Sequence, residues 1–399
     1  MVLWRKNLWA LAVGVALSGS SYTMLIPFLP LYLLDIGVDS AEVNLWSGLL
    51  FSVTFLVAAI MAPYWGRRAD KTGKRRMVLR AGFCLAIVYF MGAFVRGPID
   101  LLIVRILQGF ANGFVPAAMA IVAGTTPRDK LGSSMGVMQT ALLCGGIIGP
   151  LLGGFLSHFF GMRMSFVIAA VIIFLDTLSV AFLVTEPSMS KAPSGGTILD
   201  DLKTAVSNRR LLKVLALLLL VQMVTMVLQP LLTLYVVELQ GSLSGAVLTS
   251  GIVYSLAGIA GAIAAPTWGK IGQRSGFLRV LFLTFCGAGL FNASQFFAAT
   301  IYQFACLQFL FGLFVVGVFP AINTIAVTSA PKEFQGRIFG LTTTANQLGS
   351  MLGPLVGGFL SSLVGIRPVF LFTGALLFTI GLAVAWRYFR RKVAVNSGV

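Results

Sequence analysis

The sequence predicts an all-α membrane protein, with twelve transmembrane helices in two pseudo-symmetric six-helix bundles. Three observations carry this. The chain is 58 % hydrophobic and only 10 % charged, whereas soluble domains are about 25 % charged. Apolar stretches of about 20 residues, each enough to cross a hydrocarbon core of about 30 Å, recur along its whole length. One motif is also written twice: GPLLGGFLSHFFGMR begins at Gly149 and GPLVGGFLSSLVGIR at Gly353. Within lipid the backbone must satisfy its own hydrogen bonds, so a span is a helix or part of a closed barrel. Barrel strands alternate over about ten residues, but these runs are continuous. Helices are the consistent reading.

The spans are expected near 8–34, 43–65, 77–95, 99–123, 133–157 and 164–184, then 211–237, 246–269, 278–298, 301–328, 338–361 and 368–388. The first follows Arg5 and Lys6 but exceeds twenty residues and has no small-residue cleavage site, so it reads as a retained span rather than a signal peptide. The second ends in a strongly basic loop, residues 66–76, before the third begins. The fifth and eleventh contain the duplicated glycine–proline motif. Between the sixth and seventh lies the longest polar stretch, which holds Pro187, Pro193, Gly195 and Gly196. The expected division is therefore 1–184 as the first bundle, 185–210 as a cytoplasmic linker and 211–399 as the second bundle. Cys84, Cys144, Cys286 and Cys306 all fall inside spans, as small apolar packing residues rather than a disulfide framework.

Charge gives the orientation. All but four of the 29 basic residues fall in the termini, the central linker or alternate loops. The exceptions are Arg96, Arg163 and Arg367 on the opposite side and Arg105 inside a span. The positive-inside rule then places both termini in the cytoplasm of a multi-pass protein of the cell membrane. The net charge of +17 is spread over short segments, so topology and anionic lipid headgroups account for it better than nucleic acid does. The lone His158 cannot build a metal site, and there is no phosphate-binding loop, dinucleotide glycine pattern or nucleophile elbow. The chain is expected to be neither an enzyme nor a cofactor protein.

The duplication extends beyond the quoted motif. At a nearly constant offset Pro27 matches Pro230, Tyr32 matches Tyr235, Asp35 matches Glu238, Gly109 matches Gly312 and Phe166 matches Phe370. The stretch APYWGRRADKTGKRR from Ala62 matches APTWGKIGQRSGFLR from Ala265. Two halves of like topology, related by an axis along the membrane normal, are a known transporter plan with the substrate site near the midplane.

At these residues the sequence resembles the major facilitator superfamily over nearly its full length. The loop from Gly66 through Asp70, Gly73, Lys74 and Arg75 looks like its G-x-L-A-D-R-x-G-R-K signature, with Arg68 where an apolar residue is usual. Arg105, Gln108 and Gly109 resemble its R-x-x-Q-G pattern. Gly145, Gly149, Pro150, Gly153 and Gly154 resemble the motif of drug:proton antiporters, and Gly349, Gly353, Pro354, Gly357 and Gly358 repeat it. IPFLPLYLLDIG and LWSGLLFSVTFL further resemble bacterial multidrug efflux members. The resemblance implies proton-coupled export (antiport) of amphipathic drugs by alternating access, in the bacterial cytoplasmic (inner) membrane, by a monomer. The alternatives are a dedicated exporter or flippase of one metabolite or lipid, and a membrane ligand sensor that moves nothing.

The glycines also have a direct physical reading, since small residues four apart let helices approach closely and a proline bends them. The resemblance implies that the basic loop forms a conformational latch. Its acid, Asp70, would meet the start of span eleven near residues 335–338, where a helix N-terminus favours an anion. Asymmetric polar residues at membrane depth are the substrate-binding candidates: Gln108, Asn112, Gln139, Gln222, Gln229, Tyr254, Asn323 and Asn346. Intramembrane ionisable residues are costly to bury and point to function. Asp35, Arg105, Asp176 and Glu238 are therefore the proton-coupling candidates. Arg105 lies about 9 Å inside the end of its span at 1.5 Å per residue, which suggests reach to Asp35. For Asp176 a structural hydrogen bond and a coupling role both stay open.

Overall fold

The computed structural model describes residues 3–186, 209–328 and 335–396, and among these there is no strand. The first half contains α1 (Leu3–Asp35), α2 (Val43–Thr72), α3 (Lys74–Gly92), α4 (Pro98–Ala111), α5 (Phe114–Thr125), α6 (Leu131–Phe160) and α7 (Met162–Leu183). The second contains α8 (Arg209–Val227), α9 (Leu232–Gln240), α10 (Ala246–Ser275), α11 (Phe277–Ser294), α12 (Ile301–Val315), α13 (Val318–Thr328), α14 (Gln335–Val364) and α15 (Ile366–Asn396). Eleven spans among the described residues are long and apolar enough to cross a membrane. The expected third span is not one of them. Its helix, α3, opens with Lys74, Arg75 and Arg76 and carries Arg80 one turn further on.

Three spans are broken into two helices each. Pro98–Thr125 is interrupted at Asn112–Gly113, Leu211–Gln240 at residues 228–231, and Ile301–Ala326 near Val316–Gly317. At the first break Gly113 has a φ of +124°, a conformation that a side chain would resist. By contrast α1 runs unbroken through Pro27 and Pro30. A broken span leaves carbonyls without helical partners, and these must be satisfied elsewhere. The Arg80 guanidinium does this at the first break, donating to the Phe110 carbonyl at 3.2 Å and to the Asn112 carbonyl at 3.0 Å. Trp65 Nε1 also donates to Phe110, at 2.9 Å, and the Arg80 guanidinium stacks 3.6 Å over the Trp65 ring.

The contacts divide the chain into two compact units, Met1–Ser194 with Ser242–Ser255, and Gly195–Gly241 with Leu256–Val399. Residues 242–255 thus group with the first unit, although the sequence boundary puts them in the second bundle. Most of the expected linker lies outside the described residues.

In the first unit α1 packs along α6, and α3 along α7. A Cβ on Gly145, Gly149 or Gly153 would strike the backbone oxygen of Ala16, Ser20 or Met24 respectively, so α6 seats on α1 backbone to backbone. On another face of α6 the backbone of Pro150 meets Gly251, Gly154 meets Leu248, and the Ser255 hydroxyl donates to the Ile147 carbonyl at 2.6 Å. In the second unit α8 packs along α14, and α11 along α15. Here Gly349, Gly353 and Gly357 meet the backbone oxygens of Leu219, Met223 and Val227. These are the same three contacts as in the first unit, displaced by the repeat offset. Each unit also has its own apolar core, one around Leu11, Val78, Phe114 and Val180, the other around Leu218, Phe285, Phe311 and Leu377.

Candidate functional site

The strongest concentration of polar chemistry at membrane depth lies in the first unit, where α1, α2, α3 and α4 meet. Arg105 and Gln108 are one turn apart on α4 and therefore share a face. Gly109, beside them, lets α4 approach so closely that a Cβ would lie 2.6 Å from the Thr54 carbonyl. Arg105 is only 1 % exposed. Its Nε donates to the Leu50 carbonyl at 3.2 Å and one Nη to Gln108 Oε1 at 2.6 Å. Gln108 Nε2 donates to the Tyr89 hydroxyl at 2.8 Å, which in turn donates to the Ser21 carbonyl at 2.7 Å. The Thr54 hydroxyl donates to the backbone carbonyl of Arg105, and the guanidinium lies 5.1 Å from the Phe51 ring centre.

The second Nη of Arg105 is buried without a hydrogen-bond partner. The Tyr22 hydroxyl, also buried, stands beside the guanidinium at the margin of hydrogen-bonding range. Every group bonded to the guanidinium is neutral.

This corrects the expected partnership of Arg105 with Asp35. Asp35 is exposed at the end of α1, and no ion pair joins it to Arg105. Asp35 and Arg163 each lie within electrostatic reach of Tyr32. The equivalent acid in the second unit, Glu238, is paired with Arg367 at 2.7 Å, and both side chains are a little under half exposed. These two acids therefore occupy matched places at helix ends. Asp176 differs, being 6 % exposed on α7. Its carboxylate faces Gly14 and the Phe114 ring, and it makes no hydrogen bond or ion pair among the described residues. The structural hydrogen bond considered for it is not formed.

The amide candidates separate by what they touch. Gln108 belongs to the arginine cluster. Asn112 caps the break in its own span, its Oδ1 accepting from the Gly113 amide at 2.6 Å. Gln139 is exposed. Gln222 donates to the Ser350 hydroxyl at 2.9 Å, which ties α8 to α14. Gln229 is buried and Tyr254 partly buried. Asn323 and Asn346, on α13 and α14, each hold a buried side-chain oxygen without a partner.

The basic loop is anchored by a residue absent from the sequence expectations. α2 ends at Thr72, Gly73 has a φ of +97°, and α3 starts at Lys74. The free amides of Lys74 and Arg75 donate to the Glu186 carboxylate at 3.0 and 2.8 Å. An acid there complements the positive end of the helix. The Arg75 guanidinium donates to the Ala181 carbonyl, so the loop is fixed to the end of α7. Asp70 is exposed, and the side chains of residues 335–338, its expected partners, lie outside the described residues. Glu186 and Arg80 were missed because each acts on backbone groups brought near only by folding. Tyr22 and Tyr89 were missed because a tyrosine in an apolar run resembles ordinary core.

The sequence matches the model of the Major Facilitator Superfamily over residues 11–291 and 241–398. The chain belongs to the Major Facilitator Superfamily. It is 35 % identical over 390 residues to multidrug resistance protein MdtG of Proteus mirabilis, covering 97 % of this chain and 96 % of that protein. It is 34 % identical over 392 residues to the protein of the same name from Salmonella typhimurium, covering 98 % and 96 %. The superfamily fold is equally plain in solved structures. The nucleoside transporter NupG aligns with a TM-score of 0.78 at 16 % identity, covering 97 % of this chain and 99 % of that one. A bacterial homologue of the human lysosomal transporter Spinster, in an inward-facing and occupied conformation, aligns with a TM-score of 0.78 at 16 % identity, covering 96 % of each chain. As a superfamily member, the chain is a transporter rather than an enzyme.

Proposed function

We propose that the protein exports drugs and related amphipathic compounds from the bacterial cytoplasm in exchange for protons, by alternating access. The observation that carries this reading is the full-length likeness to proteins named for multidrug resistance. The repeated backbone contacts of the glycine–proline helices in both units support it. So does a polar cluster in the first unit that has no charged equivalent in the second. On this reading the chain forms twelve spans in two six-helix bundles, 1–184 and 211–399. The linker 185–210 and both termini are cytoplasmic, and the protein acts as a monomer in the inner membrane among anionic lipids.

Asp176 is our leading proton carrier, because a buried carboxylate with no ion-pair partner is costly unless it serves a function. Asp35 and Glu238, exposed at helix ends, rank below it. Asp70 is assigned to the latch, and Asp70→Asn is expected to lower transport severalfold while leaving membrane expression intact. Wild-type transport by that variant removes Asp70 from the mechanism.

Everted vesicles test the whole reading. With an acid interior they should accumulate the neutral dye N-phenyl-1-naphthylamine above vesicles lacking the protein, and an uncoupler should abolish the excess. Accumulation that is independent of the protein, or unaffected by the uncoupler, overturns proton-driven export.

A further inference from the structure

Each unit breaks a span four residues before a proline: Asn112 precedes Pro116, and Val316 precedes Pro320. In an α-helix the carbonyl of one residue accepts from the amide four residues on. Proline has no amide, so the carbonyls of Asn112 and Val316 lack a helical donor whether the spans bend or not. Phe110 is different. In a continuous span four its carbonyl would accept from the Phe114 amide. In the bent form its donors come from other helices, Trp65 Nε1 on α2 at 2.9 Å and the Arg80 guanidinium on α3 at 3.2 Å. Span four therefore has two forms in which Phe110 is satisfied, and Arg80, Trp65 and Gly113 choose between them.

Arg80 fits the bent form. Its two Nη atoms donate to the Phe110 and Asn112 carbonyls, so one planar fork bridges the end of α4. The same guanidinium lies 3.6 Å from the Trp65 ring centre, a cation–π contact that gains strength where water is scarce. Gly113 admits the arrangement through its φ of +124°, and a Cβ there would lie 3.2 Å from one Nη of Arg80. The second unit bends its span with less. It has Leu283 in place of Arg80, and no described residue at its break has a positive φ. Only the indole contact is repeated, from Trp268 to the Leu313 carbonyl. The arginine clasp is thus additional to what the fold needs.

The bend separates two parts of the span. α4 carries Arg105 and Gln108. α5 is 12 residues long, hence about 18 Å; it packs against α1 and α3 and forms the cytoplasmic half of the span in the proposed topology. We infer that Gly113 is a hinge in span four, and that Arg80 is the positioning residue that holds the cytoplasmic half bent through one stage of transport. When the Phe110 carbonyl passes from Arg80 to the Phe114 amide, the span straightens and α5 swings. The inference rests on the alternating-access reading and names a moving part of it.

Spin labels at Ala123 on α5 and Phe182 on α7, both exposed, test this in the full-length protein with Cys84, Cys144, Cys286 and Cys306 replaced by alanine. Double electron–electron resonance in phosphatidylcholine nanodiscs reads their separation, with no dye and no proton gradient present. A bend of more than about 20° on a lever of about 18 Å displaces the far end by about 6 Å. Gly113→Ala identifies the straight form, because alanine resists a positive φ. Arg80→Leu, which copies the second unit, should shift the ratio of the two separations about tenfold toward that form, as expected on losing two charge-assisted hydrogen bonds. Arg80→Lys keeps the charge without the fork and should recover part of the shift. In everted vesicles Arg80→Leu should lower the maximal rate of uptake of N-phenyl-1-naphthylamine by about tenfold and leave the half-saturating concentration nearly unchanged, since no group that meets cargo is altered.

One separation shared by the wild type and all three variants overturns the hinge. So does a ratio in Arg80→Leu equal to that of the wild type, even where transport falls, since Arg80 then acts elsewhere. If Arg80→Leu does not fold, Arg80→Lys and Gly113→Ala decide by the same ratio. Absence of dye uptake by the wild type counts against export, and the separations still decide the hinge.

Discussion

The two halves repeat their scaffold and differ in their charge. Trp65 Nε1 donates to the Phe110 carbonyl at 2.9 Å, and Trp268 Nε1 to the Leu313 carbonyl at 2.7 Å. The Tyr32 hydroxyl reaches the Gly92 carbonyl, and Tyr235 reaches that of Gln295. Phe166 and Phe370 lie against the two tyrosines. Arg105, however, is answered by Gln308, Tyr89 by Asn292, Tyr22 by Thr225 and Asp176 by Ile380. The contacts kept in both copies join backbone to backbone or cap a carbonyl, which any membrane helix bundle requires. Those that differ concentrate ionisable and hydroxyl groups in one copy. Duplication preserved the frame, and the chemistry became one-sided.

The largest effects should come from breaking the shared contacts. Gly153→Leu and Gly357→Leu each drive a side chain into the backbone of the neighbouring helix. Overpacking of this kind costs about 1–3 kcal/mol, and more where backbone cannot yield. Both should cut the yield of monodisperse protein on size exclusion to a similar degree. Damage confined to one half would break the symmetry of the comparison.

Asp176→Asn sharpens the other side. The carboxylate has no hydrogen bond to lose, so expression and melting should hold while uptake driven by a pH gradient falls by about a hundredfold, the low end of a positioned proton-transfer group's contribution. Near-normal uptake would return the proton to Asp35 or Glu238.

Smaller changes are expected from single hydrogen bonds. Trp65→Phe and Trp268→Phe each remove one indole donor, at a cost of about 0.5–1.5 kcal/mol, and should lower the melting temperature together. Trp65→Phe should be the worse of the two, because Arg80 also stacks on that ring and the second copy has Leu283 in place of Arg80. The smallest effect belongs to Glu238→Gln. Its ion pair with Arg367 is exposed on both sides, and such pairs contribute about 0–1 kcal/mol. Melting in low and high salt should barely separate the variant from the wild type.

Much of this comparison was legible in the sequence, because hydropathy and a repeat offset survive without coordinates. The glycines at 145, 149 and 153 and at 349, 353 and 357 announce a close approach by their spacing alone. The identity of the helix they approach does not follow from that spacing. Arg105 and Gln108 were readable as neighbours, since four residues of α4 make one turn. That Arg105 turns toward Leu50, Tyr22 and Tyr89 rather than toward Asp35 depends on the rotation of four helices about their axes, which a sequence of mostly apolar residues hardly constrains. Asn112 was misleading for a related reason. A polar residue at membrane depth was expected to face a cargo, yet it serves the backbone of a break that Gly113 permits.

The Glu186 cap has a consequence for how the chain can be divided. Its carboxylate closes the start of α3 from just beyond the end of α7, immediately before Pro187. A polypeptide ending just beyond residue 186 therefore keeps the acid that caps the start of α3. One ending at Leu183 would leave two amides bare and the basic loop held to α7 only through the Arg75 contact with the Ala181 carbonyl. A separately expressed first half should therefore be cut on the far side of that acid.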